Sequence, residues 1–345
     1  MSFQSDTTAP APPALLEAMI RANEGAAASY GNDTVSARVK AQLREIFSTD
    51  LELVFTVSGT ASNSLALAVL APGDSAILCH DEAHIHRDER GAPEFFTGGA
   101  KLVPLHGDHA RLTPETLEAA LAEWPSDFVH TTPPSVLSLS NLTESGTAYD
   151  VATVKALAGL AKARGMHVHM DGARFANALS FLKCDPADIT WRAGVDVLSL
   201  GATKGGALAA EAVILFPSVM DRFHTLRARQ KRAGHMLPKA RYVAAQFEAW
   251  LENGRWLELA AHANAMASEL AAGFASIPGA KLLHPVEGNE VFIDLPQEAV
   301  DALNAVNAGF YPWPHGGYRF VTSWQTKAED VARVVKAAQG VNPSL

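Results

Sequence analysis

Cysteine is nearly absent from this chain: Cys79 and Cys184 are the only two in 345 residues. Two thiols cannot make a disulfide scaffold or a thiolate zinc site, and they suit a reducing compartment. Positive charge is also short, with 28 Lys and Arg against 37 Asp and Glu and a net charge of −9. That balance excludes the basic footprint of a general nucleic-acid binder and does not suit an anionic membrane surface. Residues 53–73 are uncharged and about long enough to span a bilayer, but their middle reads SGTASNS, so they are read as strand, glycine turn and helix. The first residues, MSFQSDTTAPAPPALLEAM, lack a basic segment followed by an apolar one, which predicts a mature cytoplasmic start. The patterns G-x-G-x-x-G, G-x-x-x-x-G-K-[ST] and H-E-x-x-H are missing too, which disfavours a dinucleotide fold, a P-loop and a zinc-protease helix.

What is present describes an ordinary globular protein, with 48% hydrophobic and 19% charged residues. The length predicts two domains, or one large domain with an appendage. An Ala/Pro/Thr-rich arm at 7–13 is followed by helical patterns, of which TVSARVKAQLREIF is expected to be capped by Thr34. Short apolar runs then alternate with amphipathic stretches: LVFTV (53–57), SAILC (75–79), KLVPL (101–105), FVHTT (128–132), HVHMD (167–171), VLSL (197–200) and AVILF (212–216). Strands alternating with helices predict βαβ units and a largely parallel sheet covered on both faces. After long helical stretches to about residue 276, the strands KLLHP, EVFIDL and YRFVT appear among turns. This shift places a large N-terminal domain and its arm at 1–250, and a small C-terminal α+β domain at 251–345.

In an open parallel sheet, ligands bind at the carboxyl ends of the strands. Ser58-Gly59-Thr60 opens a helix after LVFTV and reads either as an anion cradle or as ordinary capping. Asp171 ends HVHMD, and is either paired with Arg174 across a turn or a carboxylate that holds a protonated ring nitrogen. Lys204, in VLSLGATKGG, is either a solvated loop lysine or a desolvated amine able to form a Schiff base, with its glycines admitting a ligand. The histidines of HDEAHIH (80–86), with His167 and His169, are compatible with a metal, though no second cluster completes a site. A phosphate cradle, a ring-nitrogen carboxylate and a Schiff-base lysine on different strand ends are the parts that pyridoxal 5′-phosphate needs.

On the segments SDT, SGTASN, AHIHRDE, SLSN, MDGARFANA and LSLGATKGG, the sequence resembles the threonine aldolase family, a branch of the β-eliminating lyases, over nearly its whole length. The resemblance implies an α/β fold of the aspartate aminotransferase-like, fold type I class, with a mainly parallel sheet in the large domain. It implies that Lys204 anchors the cofactor, Asp171 holds the pyridine nitrogen, and Ser58, Gly59 and Thr60 cradle the phosphate. Arg174 then lies near the ring hydroxyl and substrate carboxylate, His84 stacks on the ring, and His130 stands beside the substrate β-hydroxyl. Ser5 and Arg319 match groups that hold the substrate α-carboxylate, and Lys231 and Lys239 match basic residues that reach the phosphate, often from a neighbouring subunit. There are departures: Ser140 stands where the family has an acid before Asn141, and the turn YGNDTV lacks the family's proline.

The reaction so implied is cleavage of a β-hydroxy-α-amino acid, such as L-threonine or L-allo-threonine, to glycine and an aldehyde, by a homotetramer or homodimer. His130 or His84 is the expected base for the β-hydroxyl proton, directly or through water. Three alternatives stand beside it: β-elimination on another β-substituted amino acid, a metal-dependent hydrolase using His80, Asp81, His84 and His86, and a catalytically silent binding protein.

Overall fold

The structure, a computed structural model, describes residues 1–125, 128–314 and 316–340. Seven short apolar segments become strands β1 (Glu52–Thr56), β2 (Ala76–His80), β3 (Lys101–Leu105), β4 (Pro134–Ser140), β5 (His167–Gly172), β6 (Val197–Gly201) and β7 (Glu211–Leu215). They form one sheet in the order β1-β7-β6-β5-β4-β2-β3. The pairs from β3 to β6 are parallel, whereas β7 runs antiparallel to both β6 and β1. Six strands therefore end at one edge of the sheet, and β7 begins there. That edge gathers the site.

The strands are apolar on both faces because both are covered. Leu78, Leu137, Val168 and Leu198 pack into one core, while Ile77, Val136, Val197 and Val213 pack into the other. The second core is built on the helix Gly59–Leu70, in which every residue from Ala61 to Leu70 is buried. A helix enclosed on all sides has no solvent face on which to place charge, which accounts for the uncharged run at 53–73.

Two local expectations need correction. FVHTT (128–132) is not a strand. Its residues stay at the surface: Phe128 and Val129 are 54% and 89% exposed, the Phe128 ring meets the His130 ring edge-on at 5.1 Å, and the Thr131 N–H turns back to the Phe128 carbonyl at 2.9 Å. The fourth strand is PSVLSLS instead, with Pro134 at its first position, where a missing N–H is tolerated. The cap of the helix Thr34–Phe47 is Asp33, not Thr34, because the Asp33 carboxylate accepts the Ser36 N–H at 2.9 Å.

A second sheet, β8 (Lys281–Leu282), β9 (Glu290–Asp294), β10 (Tyr311–Pro312) and β11 (Tyr318–Val321), is antiparallel in the order β10-β11-β9-β8. Its core joins Phe274, Phe320 and Val334 with Phe3 from the far end of the chain. The Phe3 N–H donates to the Gly309 carbonyl and the Val321 N–H donates to the Phe3 carbonyl, at 2.6 and 2.7 Å. The N-terminal arm is thus tied to the second sheet before it crosses to the first.

Asp196 joins the helix Val151–Ala163 to the start of β6. Its carboxylate accepts from Lys162, from Ser218 at 2.5 Å and from the Val168 N–H at 2.7 Å. Burial alone would raise its pKa, but donors from His167, Lys162, Ser218 and Val168 hold it at about 2. A depressed carboxylate stabilises the fold above its unfolded value, near 4, and this contribution fades as pH falls towards 2. Asp196→Asn is therefore expected to lower stability at pH 7 by about 2–3 kcal/mol, with the gap to wild type closing below pH 4. Thermal melts at pH 7 and at pH 3 check this.

Candidate active site

At the shared edge lies a cavity of about 720 Å³, a size suited to a cofactor with a small substrate. β1 leads to Ser58, Gly59 and Thr60, β5 ends at Asp171, and β6 leads to Lys204, all lining this cavity. His84 enters from the loop after β2, Ser5 from the N-terminal arm, and Arg319 from β11. Arg174 lines it as well. His130, Lys231 and Lys239 do not. His130 is on the exposed turn that replaces the expected strand, and Lys239 is exposed on the surface. Lys231 lies over the Tyr30 ring, 5.4 Å from its centroid.

Asp171 is buried, yet no side-chain cation pairs with it among the described residues. Its Oδ1 accepts the Ala173 N–H at 2.9 Å, and its Oδ2 accepts Asn63 Nδ2 at 2.7 Å. The Asp171–Arg174 pair is not made, because Arg174 is committed elsewhere. It donates to Asp6 through Nε at 2.8 Å and through Nη2 at 3.3 Å, and its Nη1 lies 3.1 Å from Glu290. Burial alone would raise Asp6, but Arg174 and Lys204 hold its carboxyl below the usual range. Two acids thus neutralise Arg174, while a buried carboxylate with only neutral donors is left where a ring cation could sit.

Arg319 is the less committed guanidinium. It stands over the rings of Tyr311 and Trp313, 5.0 and 4.9 Å from their centroids, and its Nη2 donates to the Gln4 carbonyl at 3.3 Å. Among the described residues its Nε is buried without a hydrogen-bond partner, and Glu290 is 3.9 Å away. An arginine stacked and oriented but not saturated is suited to a bidentate carboxylate.

The loop of Lys204 is held from beneath. Trp250 Nε1 donates to the Gly205 carbonyl at 3.1 Å, and a Cβ on Gly205 would come within 2.9 Å of the indole. Gly205 is therefore small for the tryptophan and not for a ligand. Lys204 also has an acid nearby that its own stretch of sequence does not show. The antiparallel run of β7 returns Glu211 to this edge, opposite Gly201. Both Lys204 and Glu211 line the cavity.

A sequence model of the β-eliminating lyases matches residues 2–298. This chain belongs to the β-eliminating lyase family. It is 40% identical over 343 residues to the low specificity L-threonine aldolase of Pseudomonas aeruginosa, with 98% of each chain covered. The solved threonine aldolase of Leishmania major superimposes with a TM-score of 0.91 at 30% identity, with 98% of each chain covered. An aspartate aminotransferase of Rhodobacter sphaeroides shares the fold alone, with a TM-score of 0.70 at 19% identity over 98% of this chain and 91% of the other. The aspartate aminotransferase-like architecture read from the motifs is the one present.

In this β-eliminating lyase two acids to which the motif reading gave no role also stand at the site. Ser140 does not leave the wall without a carboxylate: Glu144 folds back, and its Oε1 accepts Ser140 Oγ and the His84 N–H, both at 2.8 Å. Burial raises Glu144 to about 7, with Asp171 adding to the effect. The second acid is Glu89, whose Oε1 lies 2.8 Å from His84 Nδ1. An acid four or five places from a matched motif residue was the available signal in both cases. Three of the other histidines have structural partners. His80 Nε2 contacts the Gly107 carbonyl at 2.8 Å, and His167 contacts Arg222 at 2.8 Å. His169 bridges Ser138 and Ser199 at 2.9 and 3.0 Å, and burial lowers it to about 4. Among the described residues, no three His, Cys, Asp or Glu side chains are grouped to hold a metal ion.

Burial pushes Glu211 up to about 7, against the pull of Thr203 and Lys204. A carboxyl raised by folding favours the native state at acid pH, and that advantage is lost as pH climbs through 7. In the cofactor-free protein, Glu211→Gln is expected to raise the melting temperature at pH 8 by a few degrees, with little change at pH 5. Paired melts at the two pH values test this, and a gap that does not vary with pH would count against it.

Proposed function

We propose that this chain binds pyridoxal 5′-phosphate and cleaves β-hydroxy-α-amino acids, such as L-threonine or L-allo-threonine, to glycine and an aldehyde. The observation that carries the reading is a buried Asp171, with no side-chain cation paired to it among the described residues, facing the same cavity as Lys204 and the hydroxyl-lined opening of the helix Gly59–Leu70. Those residues fit the cofactor. Lys204 would hold its carbonyl carbon, Ser58, Gly59 and Thr60 its phosphate, Asp171 its ring nitrogen, and His84 its ring face. When bound, the cofactor supplies an electron-accepting ring.

The chain's own groups do the rest. Arg319 and Ser5 hold the substrate α-carboxylate, which orients the bond to be broken. Asp171 keeps a proton on the ring nitrogen. His84 takes the β-hydroxyl proton at a ring nitrogen. The L preference rests on the family likeness. β-Elimination remains the second reading within the same family, and it would release a 2-oxo acid and ammonia in place of glycine and an aldehyde.

Borohydride reduction of the yellow protein is expected to leave a pyridoxyl group on the Lys204 peptide, and Lys204→Ala should lose both the adduct and turnover. Product analysis with L-allo-threonine should then give glycine and acetaldehyde. A colourless protein that takes up no pyridoxal phosphate would sink the reading.

The chain is proposed to divide into bodies at 1–250 and 251–345, and to act in the cytoplasm. Its two free cysteines suit a reducing compartment, and no described helix is long and apolar enough to cross a membrane. It is also proposed to work as a homodimer or homotetramer, in which Lys231 or Lys239 reaches the phosphate in a neighbouring subunit. Supporting this, neither lysine lines the cavity of its own chain. Sizing in solution should show an oligomer, and mixing inactive Lys204→Ala with Lys231→Ala/Lys239→Ala subunits should restore part of the activity. A fully active monomer would refute it.

A further inference from the structure

His84 opens the short helix His84–Arg87 with its side chain at the cavity, 37% exposed, and two carboxylates grip it. Glu144 accepts its backbone N–H, and Glu89, whose side chain has no exposure at all, meets Nδ1 at 2.8 Å. The same Glu89 Oε1 accepts Asn63 Nδ2 at 2.9 Å, and that Nδ2 also donates to Asp171 at 2.7 Å. Four side chains thus run in one hydrogen-bonded line from the cavity wall to the carboxylate at the end of β5. Among the described residues, Glu89 Oε2 and Asn63 Oδ1 are buried with no hydrogen-bond partner, so the two middle members of the line bond only along it. A carboxylate has no hydrogen to donate, so with Glu89 ionised the hydrogen in its bond to His84 belongs to Nδ1. Nε2 then carries the lone pair.

We propose that Glu89 is a positioning residue for the reaction, fixing His84 in the Nδ1–H tautomer with Nε2 as the base, and that Asn63 couples this pair to the charge at Asp171. The proposal rests on the aldolase reading above. In the step it serves, Nε2 takes the hydroxyl proton and the O–H electron pair becomes the second bond of the aldehyde C=O. The Cα–Cβ pair passes to the substrate's Cα side, and a proton returned there completes glycine. The Glu89 carboxylate stabilises the imidazolium that forms, the arrangement in which an acid orients a histidine base.

The surroundings agree with this assignment. Hydrogen bonding to Glu89 raises His84, burial opposes it, Asp171 adds to the rise and Lys204 lowers it. Glu144, Glu82, Arg87 and Asp88 face the same cavity. A ring cation at Asp171 would cancel that carboxylate's contribution, so loading the site weakens His84's hold on its proton and brings the base closer to neutrality. Glu144 is the weaker candidate for the base itself: both of its donors fall on Oε1, and Oε2 is shielded from solvent.

The test is a histidine-resolved NMR titration of cofactor-free wild type, Glu89→Gln and Asp171→Asn, with pH–rate profiles of loaded wild type and Glu89→Gln. His84 should titrate lower in Glu89→Gln by about one pH unit, and lower by less in Asp171→Asn. The loaded Glu89→Gln enzyme should lose about tenfold or more in kcat with KM nearly unchanged, and its acid limb should move the same way. Should Glu89→Gln not fold, Glu89→Asp is read instead: it keeps the charge but opens the 2.8 Å contact, so kcat falls while most of the titration shift is kept. An unmoved His84 titration in an active enzyme overturns the role of Glu89 alone. A wild type that yields no glycine overturns the aldolase reading and with it the role of Nε2, even where Glu89 still governs the titration.

Discussion

A carboxylate taken out of water needs a cation or a full set of donors, and at Asp171 the fold supplies donors only. Ala173 and Asn63 satisfy an oxygen each, and Arg174, three residues on in sequence, is drawn away by Asp6 and Glu290. The rest of the site is arranged around that withheld charge. Asp6 can reach Arg174 only because the N-terminal arm is fastened to β11, so the second sheet takes part in keeping Asp171 unpaired. Asn63 spends its one amide nitrogen on two acids and so ties the state of Asp171 to Glu89 and His84.

Strand direction does comparable work. Parallel strands place Asp171, Ser140 and the Lys204 loop at one edge, as expected of an open α/β sheet. The reversal of β7 is less expected, and it converts the start of a strand into another contributor at that edge. Glu211 consequently shares a cavity with Lys204 while lying across the sheet from Gly201 and Thr56. The environment of the lysine is set by pairing between strands, and its neighbours in sequence, all small and uncharged, say little about it.

Much of this was legible beforehand, and the reasons are specific. Six of the seven strands of the large sheet announced themselves as short apolar runs, because both faces of a covered sheet demand that composition. FVHTT misled because β-propensity reports fitness for a half-buried surface, and Phe128 and Val129 stay exposed instead. Thr34 and Asp33 are both good caps, and one residue of register chose between them. Lys204, Asp171 and the Ser58–Thr60 turn stood out by residue type at strand ends, and they do share a cavity.

What the sequence alone determined is therefore the set of parts: alternating strands and helices, an uncharged central helix, a lysine and an aspartate at strand ends, and the motifs of the family. Local composition and periodicity specify these, since each follows from the burial of its own segment. Tertiary structure decided how the charges are shared. Arg174 with Asp6 and Glu290, and Glu211 on the same cavity as Lys204, join residues whose pairing depends on crossovers and strand direction. Glu144 with Ser140 and Glu89 with His84 are close in sequence and were brought together by the local path of their loops. Electrostatic partnership is a property of distance in the fold, and sequence separation does not encode it.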